Sequence, residues 1–319
     1  MKELSVLIVG GGIGGLTSAI ALGQRGFAID VIEKDPDWSV YGVGIIQQAN
    51  VVRAVATLGI LDEYLEASFG FDFVEIYKPD GELAAKIPSP RLVKDYPAQL
   101  GVSRPALQEV LASRTKAGGT YVRLGVTVDK LKQNTGSVDV AFSDGTNGRY
   151  DVVVGADGIH SQMRGSLFPG TEKPQFAGQG AWRYSFEKPA DVDCLCAYEG
   201  PIGMGLVPLS DAMMYMFVTT AEPGNPRYPH DGIAAILREK LASAPPRIAA
   251  LAEQITDDDN VVYRPMEWRF IDGDWYEGRV IPVSYTHLRA HETREDRGFP
   301  LLREKKKRGG GGGGGGGGG

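Results

Sequence analysis

The stretch Leu4-Ser5-Val6-Leu7-Ile8-Val9-Gly10-Gly11-Gly12-Ile13-Gly14-Gly15-Leu16 decides how this chain reads. An apolar run of strand length meets three consecutive glycines. Leu16, Ala19, Ile20 and Leu22 then recur at helical spacing until Gly26 interrupts. A second apolar run, 27–32, ends in Glu33. Strand, glycine turn, helix and strand thus follow in order, with G-x-G-x-x-G at Gly10, Gly12 and Gly15 and an acid about 20 residues on, the pattern of a dinucleotide-binding βαβ unit. Each position has a physical task. Gly10 permits the tight turn, Gly12 lets backbone approach a diphosphate, and Gly15 lets helix and strand pack closely. Ile13 and Gly14 open the helix, whose unpaired N–H groups and positive dipole end favour phosphate. Glu33, followed by Lys34, can accept hydrogen bonds from ribose hydroxyls. Up to this point FAD and NAD fit equally.

Working outward, the composition suits one large domain or two intimate ones. There are 319 residues, 42% hydrophobic and 23% charged, with a formal net charge of −6. This excludes a disordered chain, a collagen and a small disulfide scaffold. No long basic block is present in the body, so a nucleic-acid partner is not expected. Residues 6–23 carry no charge, but six of the eighteen are glycine and Glu3 occupies what would be a basic n-region. Neither a membrane span nor a secretory signal is expected. Cys194 and Cys196, two positions apart on one face of a strand, give no disulfide framework and point to a reducing, cytoplasmic setting.

The end of the chain has a different character. Residues 309–319 are all glycine, preceded by Lys305, Lys306, Lys307 and Arg308. The stretch from Val283 to Thr293 back-translates to a transposase-type sequencing adapter, and the lysines and glycines to AAA and GGG runs. Residues 283–319 are therefore expected to be a non-native tail, to be left out of fold reasoning. They hold twelve of the 44 glycines, eight of the 34 Lys and Arg, and four of the 40 Asp and Glu, so the body is more acidic than the whole. They also hold His287 and His291, leaving only His160 and His230, and no metal site is expected.

A second motif separates the two dinucleotides. Strands at Val138–Phe142 and 149–154, joined through Ser143-Asp144-Gly145-Thr146, run into Gly155-Ala156-Asp157-Gly158-Ile159-His160-Ser161-Gln162-Met163-Arg164. This G-A-D-G-x-x-S-x-x-R segment, together with the N-terminal fingerprint and Glu33, resembles the FAD-dependent aromatic-ring monooxygenases, the single-component flavin hydroxylases of the para-hydroxybenzoate hydroxylase fold. The resemblance covers residues 1–282. Gly42-Val43-Gly44-Ile45 and a helix at 50–58 resemble that family's segment along the flavin. Ser103-Arg104-Pro105 opens a further helix with an N-cap serine and an early proline. The resemblance implies FAD contacts from Gly44, Ile45, Arg104, the Val128 backbone, Asp157 and Gly158. In relatives a strand like Gly278-Arg279-Val280-Ile281 continues into G-D-A-x-H, which is absent here. The chain as written is therefore expected to be C-terminally truncated and to hold FAD poorly.

The middle of the chain reads as a substrate domain. A hairpin is expected at Phe73–Tyr77 and 82–87, then short strands at 181–186, 194–199, Gly203–Pro208 and 213–219 forming an antiparallel sheet. Helices at 231–241 and 246–254 and a strand at 261–271 follow. The fold class expected is α/β: a Rossmann-like FAD-binding domain with a parallel sheet, and a substrate domain on an antiparallel sheet. The FAD part takes residues 1–72, 100–172 and 268–282, and the substrate part takes 73–99 and 173–267. Trp182, Arg183, Met204, Met213, Tyr215 and Phe217 are candidates to line a pocket facing the flavin. By rough alignment Arg183 and Tyr215 hold substrate-wall positions, for recognition or for lowering a substrate pKa.

The resemblance implies a reaction: NADH or NADPH reduces FAD, O2 adds, and a C4a-hydroperoxyflavin hydroxylates an aromatic or other electron-rich ring. Only one G-x-G-x-x-G stands in the body, which fits a family whose nicotinamide coenzyme has no Rossmann domain of its own. Two other readings stay open at this level. A flavin-fold reductase, halogenase or non-catalytic flavin protein would share both motifs. An NAD-dependent dehydrogenase would explain Gly10–Gly15 and Glu33 but not the segment from Gly155 to Arg164.

Overall fold

The apolar run Ser5–Val9 lies at the middle of a sheet, and Val6, Leu7, Ile8 and Val9 are each at most 4% exposed. A computed structural model of the chain describes residues 4–40, 42–168, 174–268 and 276–283. Five parallel strands stand in the order Val280–Pro282, Val152–Gly155, Ser5–Val9, Ala28–Glu33, Tyr121–Leu124. Val- and Ile-rich strands of this kind are buried on both faces. Here Ile13–Gly23 and Arg104–Ala117 cover one face, Leu16 and Ile20 packing with Leu107 and Leu111. On the other, Leu7, Val9 and Val153 pack with Val138, Val140 and Phe142 of a three-stranded antiparallel sheet.

The strand expected at 149–154 is two strands. Asn147–Tyr150 pairs antiparallel with Val138–Phe142, and Val152–Gly155 joins the parallel sheet. The break falls at Asp151, whose carboxylate accepts from the Ser5 amide at 2.9 Å and the Ser5 hydroxyl at 3.0 Å. A buried carboxylate needs such donors, and satisfying them turns the chain from one sheet to the other.

A seven-stranded sheet takes the order Val262–Trp268, Gln175–Glu187, Met213–Ala221, Gly203–Pro208, Leu195–Tyr198, Phe73–Tyr77, Leu83–Pro88. All its pairs are antiparallel except Leu195–Tyr198 with Phe73–Tyr77, because the hairpin arrives from a distant stretch of chain. Helices Ile233–Lys240 and Pro246–Ala252 cover one face through Ile233, Leu237 and Ile248. The strand expected over 261–271 is Val262–Trp268, with 269–271 outside the described residues. The tail expected to be non-native, apart from Val283, is also outside them.

A small sheet links the two layers, with Gly44–Gln47 and Ser68–Phe71 on either side of Gln99–Ser103. At Gly101 an added Cβ would lie 1.9 Å from the Pro208 carbonyl oxygen, so here main chain packs directly on main chain.

Candidate active site

The glycine turn holds glycines of two kinds. Gly10 has φ +111°, and an added Cβ would lie 2.3 Å from the Ala156 oxygen. A Cβ on Gly15 would lie 1.9 Å from the Gly10 oxygen, so the helix could not sit this close to the turn with any larger residue. Gly12 and Gly14 are the opposite case: a Cβ there would meet nothing within 4 Å, and Gly12 is exposed. Gly12 is the N-cap of helix Ile13–Gly23 and has no side-chain cap, so the first-turn N–H groups are left for water or a ligand.

Glu33 ends the second strand beside this turn. Its Oε2 accepts from the Gly11 amide at 2.8 Å and its Oε1 from the Asp35 amide at 3.0 Å. Each oxygen keeps a further lone pair for another donor. Lys34 is exposed next to it. The Val126 amide donates to the Glu33 carbonyl at 2.9 Å, which brings Val128, at the start of Val128–Gln133, to the same edge. Open backbone donors, room above Gly12 and Gly14, and a partly engaged acid together fit a dinucleotide such as FAD.

The second motif closes on the first. The Ala156 amide donates to the Val9 carbonyl at 2.7 Å, setting the Asp157 loop against Gly10. Asp157 Oδ2 accepts from the Met163 amide at 3.1 Å, and Gly158 has φ +79°. Ser161 Oγ accepts from the Arg164 amide at 2.9 Å, while Arg164 Nη1 donates to the Ile159 carbonyl at 3.0 Å. The serine and arginine of the motif therefore tie the loop into one shape. Both motifs and Glu33 lie at the carboxyl edge of the parallel strands, where α/β folds bind ligands.

Gly42, Gly44, Ile45 and Arg104 form a third group. Gly44 pairs with Ser103 and Ile45 with Val102, and the Arg104 amide donates to the Val43 carbonyl at 3.1 Å. Gly42 has φ +106°, and a Cβ on it would lie 2.6 Å from Arg104 Cδ, so the arginine stem runs along this glycine.

The six residues expected to line one pocket fall on two faces of the seven-stranded sheet. Strand side chains alternate. Arg183 lies opposite Phe217, and Ser185 opposite Tyr215, on the face that meets Val43 and Ile46. Met213 shares that face but is 39% exposed. Trp182 and Met204 point the other way, into the core under the two helices. Trp182 donates to Thr220 Oγ1 at 2.8 Å, so its polar edge is already used. Tyr215 lies 2.6 Å from where a Gly44 Cβ would be, which puts it directly against the start of the strand Gly44–Gln47. Arg183 Nε is buried and has no hydrogen-bond partner among the described residues.

Sequence reasoning missed two participants. The Trp38 indole and the Gln108 amide both donate to the Gly11 carbonyl, at 2.8 and 2.7 Å. Nothing in the spacing of the chain marks either residue, because only the folded turn brings them together. Cys194 and Cys196 are buried beside Glu75, the two sulfurs and a carboxylate oxygen lying within 4.8 Å of one another. Glu75 already accepts from Tyr77 at 2.6 Å and Lys86 at 2.9 Å, so this trio is a satisfied ladder across the sheet.

The family described as FAD binding domain matches residues 3–267. The aurachin C monooxygenase/isomerase of Stigmatella aurantiaca is 30% identical over 283 residues, covering 87% of this chain and 72% of the relative. An FAD-dependent urate hydroxylase of Klebsiella pneumoniae is 29% identical over 267 residues, covering 80% of this chain and 68% of the relative. Among solved structures, a variant of Klebsiella pneumoniae HpxO complexed with FAD superposes with a TM-score of 0.78 at 25% identity, covering 88% of this chain and 73% of that one.

Proposed function

Since this chain belongs to the FAD binding domain family, we propose that it is an FAD-dependent monooxygenase that uses NADH or NADPH and O2 to hydroxylate a small aromatic or other electron-rich ring. Gly10, Gly12, Ile13, Gly14 and Gly15 hold the diphosphate, and Glu33, Lys34 and Val128 hold the adenosine end. Gly44, Ile45, Arg104, Asp157 and Gly158 line the remainder. On this reading residues 1–72, 100–172 and 268–282 serve the cofactor, while 73–99 and 173–267 serve the substrate. Bound FAD supplies the redox and oxygen-activating chemistry. The protein's own residues hold the ring, keep water out and set the ring's charge.

The observation that carries this reading is the contact of Tyr215 with Gly44, which sets one sheet face against the segment assigned to the flavin. Arg183, on that same face, has a buried guanidinium N–H with no acceptor among the described residues. A buried donor without a partner costs free energy, which a substrate oxygen carrying negative charge would recover. Arg183 thereby favours the deprotonated form of a phenol or enol, and the Tyr215 ring supplies an aromatic wall.

Oxygen incorporation tests the proposal. Ring compounds should stimulate NADH or NADPH oxidation and acquire one atom from 18O2. Coenzyme oxidation without labelled product would favour a reductase or an uncoupled flavin protein instead. Among the described residues no helix is long and apolar enough to cross a membrane.

A further inference from the structure

Two side chains, 27 and 97 residues away along the chain, end on one oxygen atom, the carbonyl of Gly11. Trp38 makes its bond from a left-handed backbone conformation, φ +50°, which is uncommon for so bulky a residue. Its indole nitrogen lies 2.7 Å from where a Gly11 Cβ would be, and the Lys116 ammonium stands 5.1 Å from its ring centroid. Gln108 reaches the same carbonyl from the helix Arg104–Ala117 and is buried. On its other side residue 11 is held by Glu33, which accepts from its amide at 2.8 Å.

Peptide planarity passes this constraint on. In a trans peptide the C=O and the following N–H point in opposite directions. With the Gly11 carbonyl drawn inward by two donors, the Gly12 N–H is turned outward. A Cβ on Gly12 or Gly14 would touch nothing within 4 Å, so there is room beside the turn for an acceptor. Among the described residues no backbone or side-chain acceptor takes that N–H.

We infer that Trp38 and Gln108 are positioning residues for cofactor binding, fixing the 11–12 peptide so that the Gly12 amide is presented to the diphosphate of FAD. The inference rests on the FAD assignment above. Neither side chain touches reacting atoms, so both act through the turn on cofactor affinity.

Trp38→Phe and Gln108→Met in the full chain each remove a donor while keeping bulk. FAD affinity is measured by titrating apoprotein and following flavin fluorescence, with the apoprotein melting temperature recorded alongside. Each variant should weaken FAD binding by about three- to tenfold and the double variant by more, the range of one ordinary hydrogen bond each. Apoprotein melting should stay within about 2 °C of wild type. A double variant within twofold of wild type would overturn the inference. So would a loss of affinity that tracks a fall in apoprotein melting temperature, which marks a merely structural role. If Trp38→Phe does not fold, Gln108→Met carries the same expectation. A wild-type chain that shows no FAD binding even at the highest soluble FAD concentration would instead overturn the cofactor assignment itself, because the expected truncation weakens binding without abolishing it.

Discussion

Replacing Gly44 with alanine probes the contact between the strand assigned to the flavin and the sheet that carries Arg183 and Tyr215. The new methyl would lie 2.6 Å from Tyr215 Cδ1, 2.7 Å from Tyr215 Cε1 and 2.7 Å from Leu209 Cδ2, against ordinary contact from 3.4 Å. The Leu209 methyl ends a flexible side chain and can turn aside. The Tyr215 ring is 3% exposed and packed near Phe217, so it must shift by most of an ångström. Overpacking of this kind costs about 1–3 kcal/mol. In a Tyr215→Ala background the clash disappears. The same substitution at an unstrained backbone then stabilises by about 0.4–1 kcal/mol, because alanine restricts the unfolded chain. The effect of Gly44→Ala therefore changes sign, giving a coupling of about 1.4–4 kcal/mol between the two positions. Urea unfolding of the wild type, both single variants and the double variant measures it. If Gly44→Ala costs the same with and without Tyr215, the two layers do not meet as described and the placement of the substrate wall fails with them.

Other perturbations reach the rest of the molecule. Lys240 Nζ lies 2.8 Å from Glu222 Oε1, and Glu222 is 2% exposed. Burial pushes the Glu222 pKa up, but hydrogen bonds from Lys240, Thr220 and Tyr228 outweigh it and hold the group below the ordinary carboxylate value. That stability is present above the unfolded pKa of about 4.3 and is lost as pH falls through the folded value. In Lys240→Met burial dominates, so the penalty should be about 3 kcal/mol at pH 8 and shrink toward pH 5; a penalty independent of pH would reject the ion pair as its cause. Gly15→Ala drives a methyl into the Gly10 carbonyl, an atom that no rotamer can move, and should yield insoluble protein or protein that binds FAD far more weakly than wild type. Soluble, flavin-loaded Gly15→Ala would contradict the turn geometry. Cys194 and Cys196 are 2% and 0% exposed, and the contact of Cys194 with Cys196, then its burial, pushes the Cys194 thiol well up. Both thiols should react with Ellman's reagent only on unfolding, and prompt labelling of native protein would show that the sheet opens there.

What could be read from the chain follows from how local its cause is. Gly10, Gly12, Gly15 and Glu33 lie within one βαβ unit, so periodicity and glycine spacing suffice to anticipate their arrangement. The hairpin Phe73–Tyr77 with Leu83–Pro88 is equally local, set by the turn Lys78-Pro79-Asp80-Gly81. The break at Asp151 was hidden because the cause lies 146 residues away at Ser5. Trp182 and Arg183 fall on opposite faces of one strand, which alternation alone requires once the register is known. Which face meets the cofactor layer depended on Gly44 and Gly101, positions that carry no side chain to read. Convergence of Trp38 and Gln108 on Gly11 is a property of three separate elements and has no linear signature.

The contact between Gly101 and Pro208 has a consequence for how such a molecule changes over time. Main chain rests on main chain there, so the gap between the cofactor layer and the sheet is a fixed gauge that side-chain exchange does not alter. Residues 183, 185, 215 and 217 share the sheet face on that side, so exchange there alters the side chains on offer while Gly101 and Pro208 set the spacing. On the assignment proposed above, what is held and where it is held are inherited separately, and a lineage can acquire a new ring compound by altering a few strand positions while its reach toward the flavin stays constant.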